Sequence, residues 1–200
     1  ANRVVIPGSE DPFNTFDVGL TASAWIKTTT SGTWQVIVSK SDRDVDWSGW
    51  ILAIDNNNYP YYQIRSAGGT SITGNTVVTD GQWHLITATY DGATNEARIY
   101  VDGVEDADPV TGTASAPLTP SGEAPVVIGA EKVYADGSLN PFAGLVDDVR
   151  IYNYPRSVYG TIDIYNFAVE PDKSFCLEAD RPSMDMTGPD GTPDCRVDLY

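Results

Sequence analysis

The run Trp83-His84-Leu85-Ile86-Thr87-Ala88-Thr89-Tyr90, followed after a polar turn by Arg98-Ile99-Tyr100-Val101-Asp102-Gly103, constrains this chain more than any other stretch. Ile86, Ala88 and Tyr90, then Ile99 and Val101, alternate with polar residues. Alternation with period two gives a strand one buried face and suits no helix. Ala93-Thr94-Asn95-Glu96 between the runs is the turn of a hairpin. Similar short runs recur along the chain, at Val4–Ile6, Leu20–Lys27, Trp34–Lys40, Trp50–Asp55, Tyr61–Arg65, Thr76–Val78, Val126–Gly129 and Leu145–Tyr152. Gly, Asn, Asp and Thr punctuate them, as in Asp55-Asn56-Asn57-Asn58, where Asn tolerates positive φ. No window of about a dozen residues shows a clean helical period. The expected class is all-β, a two-sheet antiparallel sandwich.

The order of residues is also specific. Asp80-Gly81-Gln82-Trp83-His84 through Asp91-Gly92, then Ile99-Tyr100-Val101-Asp102-Gly103, resembles the central hairpin of laminin-G-like, concanavalin A-like jelly-roll domains. Leu20-Thr21-Ala22-Ser23-Ala24-Trp25-Ile26-Lys27 upstream and Phe142-Ala143-Gly144-Leu145-Val146-Asp147-Asp148-Val149-Arg150-Ile151-Tyr152 downstream fit the same family in the expected order. The resemblance covers roughly residues 3–158 and implies a jelly roll over residues 1–170. It says less about function, because one fold hosts many functions. It implies that His84 is a hydrogen-bonded structural imidazole and that Trp25 and Trp83 are packing residues.

Charge narrows the partners. With 28 acidic and 12 basic residues the formal charge is −16. No Lys/Arg cluster is present to engage a phosphate backbone, so nucleic acid is not an expected partner. An anionic membrane surface is disfavoured for the same reason, and no apolar run approaches the ~18 residues of a membrane span. Excess Asp serves solubility in a secreted protein, and Asp is also a hard oxygen ligand for divalent cations. Ala1 opens the sequence without a basic-then-apolar leader, which leaves any signal peptide outside it.

Cys176 and Cys195 are the two cysteines. They lack metal-ligand spacing and have no histidine beside them. A disulfide between them would close a loop of ~20 residues and contribute roughly 3 kcal/mol by chain entropy, which points to an oxidising compartment; unrelated thiols are the alternative. Residues 171–200 form an Asp-rich tail. Asp185 to Tyr200 looks like a truncated dockerin-type calcium loop, with Pro189 breaking the ligand spacing and no terminal Glu. The expectation is a larger secreted protein, with neighbouring domains, cut at this point. Residues 107–125 are rich in Pro, Ala, Ser, Thr and Gly and read as a long loop inside one domain.

Enzymatic chemistry finds little support. Glycosidases on this fold place paired carboxylates on one strand, at separations of ~5–9 Å, and no ExDxE run occurs; the glutamates are scattered. GxSxG, HExxH and P-loop patterns are absent. The stretch Ser39–Arg65 is richer, holding Asp44, Trp47, Tyr59, Tyr61 and Arg65. Aromatic faces stack on pyranose rings while Arg, Asp and Asn bond hydroxyls. Strand parity puts Tyr61, and not Tyr62, on the face of Arg65. The competing account has these aromatics filling the core.

Asp147 and Asp148 are the remaining constellation. Alternation along Leu145, Asp147, Val149 and Ile151 puts Asp147 among apolar residues, where a carboxylate must be paired, hydrogen-bonded or metal-bound. The resemblance implies that this position helps hold a structural Ca²⁺; an Asp bonded to Arg150 or Arg156 is the alternative. The expected function is a non-catalytic, lectin-like carbohydrate-binding module of a secreted bacterial protein, with a polysaccharide or glycan partner. A protein-interaction or adhesion module, or a spacer domain, is the rival.

Overall fold

The computed structural model describes residues 3–7, 16–42, 48–66, 68–114, 124–131 and 139–169. Among the described residues twelve strands and one helix are formed: β1 Val4–Ile6, β2 Gly19–Lys27, β3 Gln35–Asp42, β4 Ser48–Ile54, β5 Pro60–Arg65, β6 Gly69–Thr73, β7 Trp83–Asp91, β8 Glu96–Val101, β9 Val104–Glu105, β10 Val110–Thr111, β11 Val126–Ile128, β12 Leu145–Tyr152 and α1 Val158–Val169. The strands make two antiparallel sheets. The first runs β1-β11-β3-β4-β5-β6 and the second β10-β8-β7-β2-β12, with β9 added to β8. The chain is a two-sheet jelly-roll sandwich, as the strand pattern predicts.

Alternation builds the core between the sheets. Leu20, Ala22, Ala24 and Ile26 of β2, with Ile86, Ala88 and Tyr90 of β7, meet Trp50, Leu52 and Ile54 of β4, with Tyr62 and Ile64 of β5. These side chains are at most 1 % exposed, so each large one contributes on the order of 2 kcal/mol of apolar transfer energy. The core has a polar cost. Trp50 Nε1 and Tyr62 Oη are buried without a hydrogen-bond partner. Burial, and then the charge of Tyr90, push the Tyr62 phenol well above its ordinary pKa.

The turns are tied by their own aspartates. Asp55 Oδ1 accepts the N–H groups of Asn57 and Tyr59 at 2.8 and 2.9 Å, with Asn58 at φ 77°. Asp102 and Gly103 sit at φ 53° and 79°, the two-residue mirror-image turn that matches strand twist and joins β8 to β9.

Three departures from the sequence reading are instructive. Thr76–Val78 is not a strand. Asp106 Oδ2 takes the N–H groups of Asn75 and Thr76 that a ladder would need, and the edge strand forms earlier as β6, with Gly69, Thr70 and Ser71 opposite Arg65, Ile64 and Gln63. The helix α1 follows β12 without a clean period, because its cover is local: Ile164 and Thr161 are buried while Val158 is 41 % exposed. Within the segment 107–125, β10 pairs with β8, and Thr113 N–H then donates to Gly69 O of β6 at 3.1 Å, so this segment touches both sheets.

Candidate functional site

The outer face of β4, β5 and β6 is where candidate binding residues converge. Tyr62 and Ile64 point into the core, so alternation sends Tyr61, Gln63 and Arg65 outward. Apart from Ile51, the cross-strand partners of these three are small or short. Tyr61 lies between Ala53 and Thr73, Gln63 between Ile51 and Ser71, and Arg65 between Gly49 and Gly69. Gly49 is required at its place: φ is +117° and a Cβ would fall 2.0 Å from Lys40 O. Arg65 is exposed, and Tyr61 and Gln63 are half-buried.

Trp34 completes this face. Its ring centroid lies 4.8 Å from that of Tyr61, edge to face at 64°. The loop that carries it is pinned by Gly32 N–H donating to Asn58 Oδ1 at 2.9 Å and by Gln35 Nε2 donating to Thr30 O at 2.9 Å. Sequence parity missed Trp34. It precedes a strand whose alternation is broken by a bulge between Val36 and Val38, so its face could not be counted from the strand. Tyr59 closes the β4–β5 turn, its carbonyl accepting Asp55 N–H at 2.9 Å. Tyr59, Tyr61 and Arg65 are therefore placed along one strand and its turn. Asp44 and Trp47 lie outside the described residues.

From β4 onward this face closes over. Ser39 Oγ donates to Ala130 O at 3.2 Å, and Ala53 and Val127 are at most 1 % exposed. Glu131 is buried, its Oε2 accepting from Asn140 Nδ2 at 2.8 Å. No acidic residue occurs in β4, β5 or β6, and Arg65 is their one charged side chain. In a chain of net charge −16 such a face cannot supply the carboxylate pair of glycosidase chemistry. It offers aromatic edges, an amide, hydroxyls and a guanidinium.

Asp147 and Asp148 are elsewhere, on β12 of the second sheet, and the burial expected of Asp147 is not found. The register with β2 shifts between Asp147 and Arg150, and Asp148 has φ +44°. This bulge inserts one residue and resets parity. Val146, Val149 and Ile151 pack on the core, while Asp147 is exposed beside Leu145. Arg150 grips both oxygens of Asp148, Nε at 2.9 Å and Nη2 at 2.7 Å. That carboxylate, then burial acting the other way, hold the Arg150 pKa above its ordinary value. Asp147 Oδ1 accepts Asp148 N–H at 2.8 Å. Calcium takes six to eight oxygens, which this pair alone does not gather. Among the described residues no group of three or more His, Cys, Asp or Glu could hold a metal ion. Cys176, Cys195 and the Asp-rich tail lie outside the described residues.

The hairpin residues divide. Trp25 packs as expected, stacked 5.7 Å from Tyr165 of α1. Trp83 is instead 40 % exposed, because it starts its strand at the sheet end, opposite Lys27. His84 is the expected bonded imidazole, with Nδ1 2.8 Å from Asp102 Oδ2 and Nε2 3.2 Å from Asp80 Oδ1. Partial burial lowers its pKa, but the two carboxylates together overcome this and raise it above the ordinary value.

Known proteins agree with this architecture. The module from the Ruminococcus gnavus IT-sialidase, a CBM40, superposes with a TM-score of 0.65 at 16 % identity, over 81 % of this chain and 92 % of that one. The SAP-like pentraxin of Limulus polyphemus gives 0.58 at 16 %, over 82 % and 81 %. Mouse laminin α1 domains LG4-5 give 0.57 at 16 %, over 78 % and 40 %. No curated protein matches the chain in sequence. The laminin-G family model described as the concanavalin A-like lectin/glucanases superfamily matches residues 2–159, and with a β-sandwich of this topology beneath that match the chain belongs to that superfamily.

Proposed function

We propose that this protein is a non-catalytic, lectin-like module that binds glycan on the outer face of β4, β5 and β6. The observation that carries the reading is the Tyr61–Trp34 pair standing beside Gln63 and Arg65 on an acid-free strand surface. An apolar sugar face packs on the aromatic edge while the amide, guanidinium and hydroxyls of Ser71 and Thr73 bond its rim. The Ruminococcus gnavus module, a structural neighbour, was solved with α2,3- and α2,6-sialyllactose, which supports a glycan as ligand class without naming this chain's sugar. Secretion fits the family, and no described helix is long and apolar enough to cross a membrane.

Calcium enters this reading on narrow terms. Asp147 offers one oxygen not engaged with Asp148 N–H, so an ion there draws its other ligands from backbone carbonyls and water. Its role is to order loops. The test is a glycan array with and without EDTA, followed by calorimetry on Tyr61→Ala and Trp34→Ala. Saturable binding lost in both variants supports the site. Binding unchanged in both, or no glycan bound at all, overturns it.

The rival, a protein-interaction or spacer module, has one observation in its favour. Trp83, Lys27 and Leu145 are cross-strand neighbours on the second sheet, and Trp83 and Leu145 are 40 % and 58 % exposed.

A further inference from the structure

We propose that His84 is a proton-operated clasp that ties the turn before β7 to the β8–β9 turn. Only an imidazolium donates from both ring nitrogens, and both of these nitrogens face a carboxylate. Nδ1 lies 2.8 Å from Asp102 Oδ2 and Nε2 lies 3.2 Å from Asp80 Oδ1. Neither carboxylate is there for the histidine alone. Asp102 Oδ1 accepts Leu85 N–H at 2.8 Å, and Asp80 Oδ1 accepts Gln82 N–H at 2.8 Å. Each carboxylate is thus aimed at the ring by a backbone bond of its own. A neutral ring keeps one N–H and turns a lone pair toward the other carboxylate. The arm that yields is the longer and more exposed one, to Asp80, whose side chain is 48 % exposed against 32 % for Asp102.

Few other groups act on the ring. Ile26 lies opposite on β2, with Lys27 the next residue on that strand. Tyr165 and Ile162 of α1 approach Gly103, next to Asp102. Asp102 and Asp80 are the charges that bear on His84. What the clasp controls is the segment Asp80–Trp83. Gly81 there, at φ +82°, donates to Thr28 O at 3.0 Å, and Trp83 is exposed. Deprotonation loosens this turn and the tryptophan it carries.

His84 is the chain's one histidine, so its ring proton signals need no assignment by elimination. Proton NMR over pH 5–9 of the intact protein is expected to give a midpoint above the ordinary ~6.5. Asp80→Asn and Asp102→Asn should each move it down. Amide exchange at Gln82 and Trp83, corrected for intrinsic pH dependence, should accelerate along the same curve. His84→Gln, which cannot titrate, should remove that step. A midpoint at or below the ordinary value, exchange that ignores the titration, or a step that survives in His84→Gln would each overturn the clasp. Should Asp102→Asn fail to fold, Asp80→Asn in its exposed turn carries the same test.

Discussion

The two outer faces of this sandwich are built on opposite terms. On the second sheet Tyr165 of α1 stacks on Trp25 of β2, and the strip around Thr21, Ser23, Thr87 and Thr89 is buried. Thr21 Oγ1 donates to Tyr154 O at 2.9 Å and accepts Arg156 N–H at 2.8 Å, fixing the chain's approach to the helix. The strip is polar nonetheless, and Ser23 Oγ, Thr87 Oγ1 and Trp25 Nε1 have no partner. On the first sheet the surface opens at β5 and β6, where Arg65, Ser71 and Thr73 meet solvent. Hydroxyls buried without partners cost stability, whereas the same chemistry left open stays available to solvent or to a ligand.

The comparison can be broken most forcefully at α1. Ile164→Asp places a charge where the side chain is 2 % exposed. It should cost about 3 kcal/mol or more, read as a lowered urea midpoint. Gln63→Ala on the open face should stay within about 0.5 kcal/mol by the same measurement. The next effect is on binding. Tyr61→Ala should weaken glycan affinity by about 2 kcal/mol, the scale of an interface anchor, with thermal stability nearly unchanged. A loss of stability in place of affinity would make Tyr61 a packing residue. Thr87→Val should stabilise by up to about 1 kcal/mol, since an orphaned hydroxyl is replaced by a methyl of the same shape. Destabilisation would mean that the hydroxyl is satisfied by buried water.

The smallest effect is that of pH. The folded pKa of His84 is raised. Its stabilisation is therefore fully present below the unfolded value near ~6.5 and lost as pH rises through the folded value. Denaturation curves at pH 6 and pH 8 should differ in that direction, and His84→Gln should remove the difference.

Fold was legible because alternation survives wherever a strand is regular. Leu145–Tyr152 was bounded correctly from its residues, yet the face of Asp147 was misjudged, because a bulge leaves no mark on composition. Its traces are structural, the φ of Asp148 and the register shift against β2. The same difficulty hid Trp34 behind the irregularity in β3. Tyr61 and Arg65 were legible because β5 alternates without interruption. The absence of acid from β4–β6 stood in the sequence throughout, but it acquires meaning only once those strands are known to be neighbours.

The aspartates of the turns carry a last consequence. Asp55, Asp80, Asp91, Asp102 and Asp106 each accept a backbone N–H in or beside a turn. Part of the chain's acidity is thus tied to how it reverses direction. Asparagine accepts the same bonds without the charge. At Asp55, Asp91 and Asp106, which no histidine faces, relatives of this domain can therefore drift from acidic to neutral, and change what they attract at long range, while those turns stay where they are.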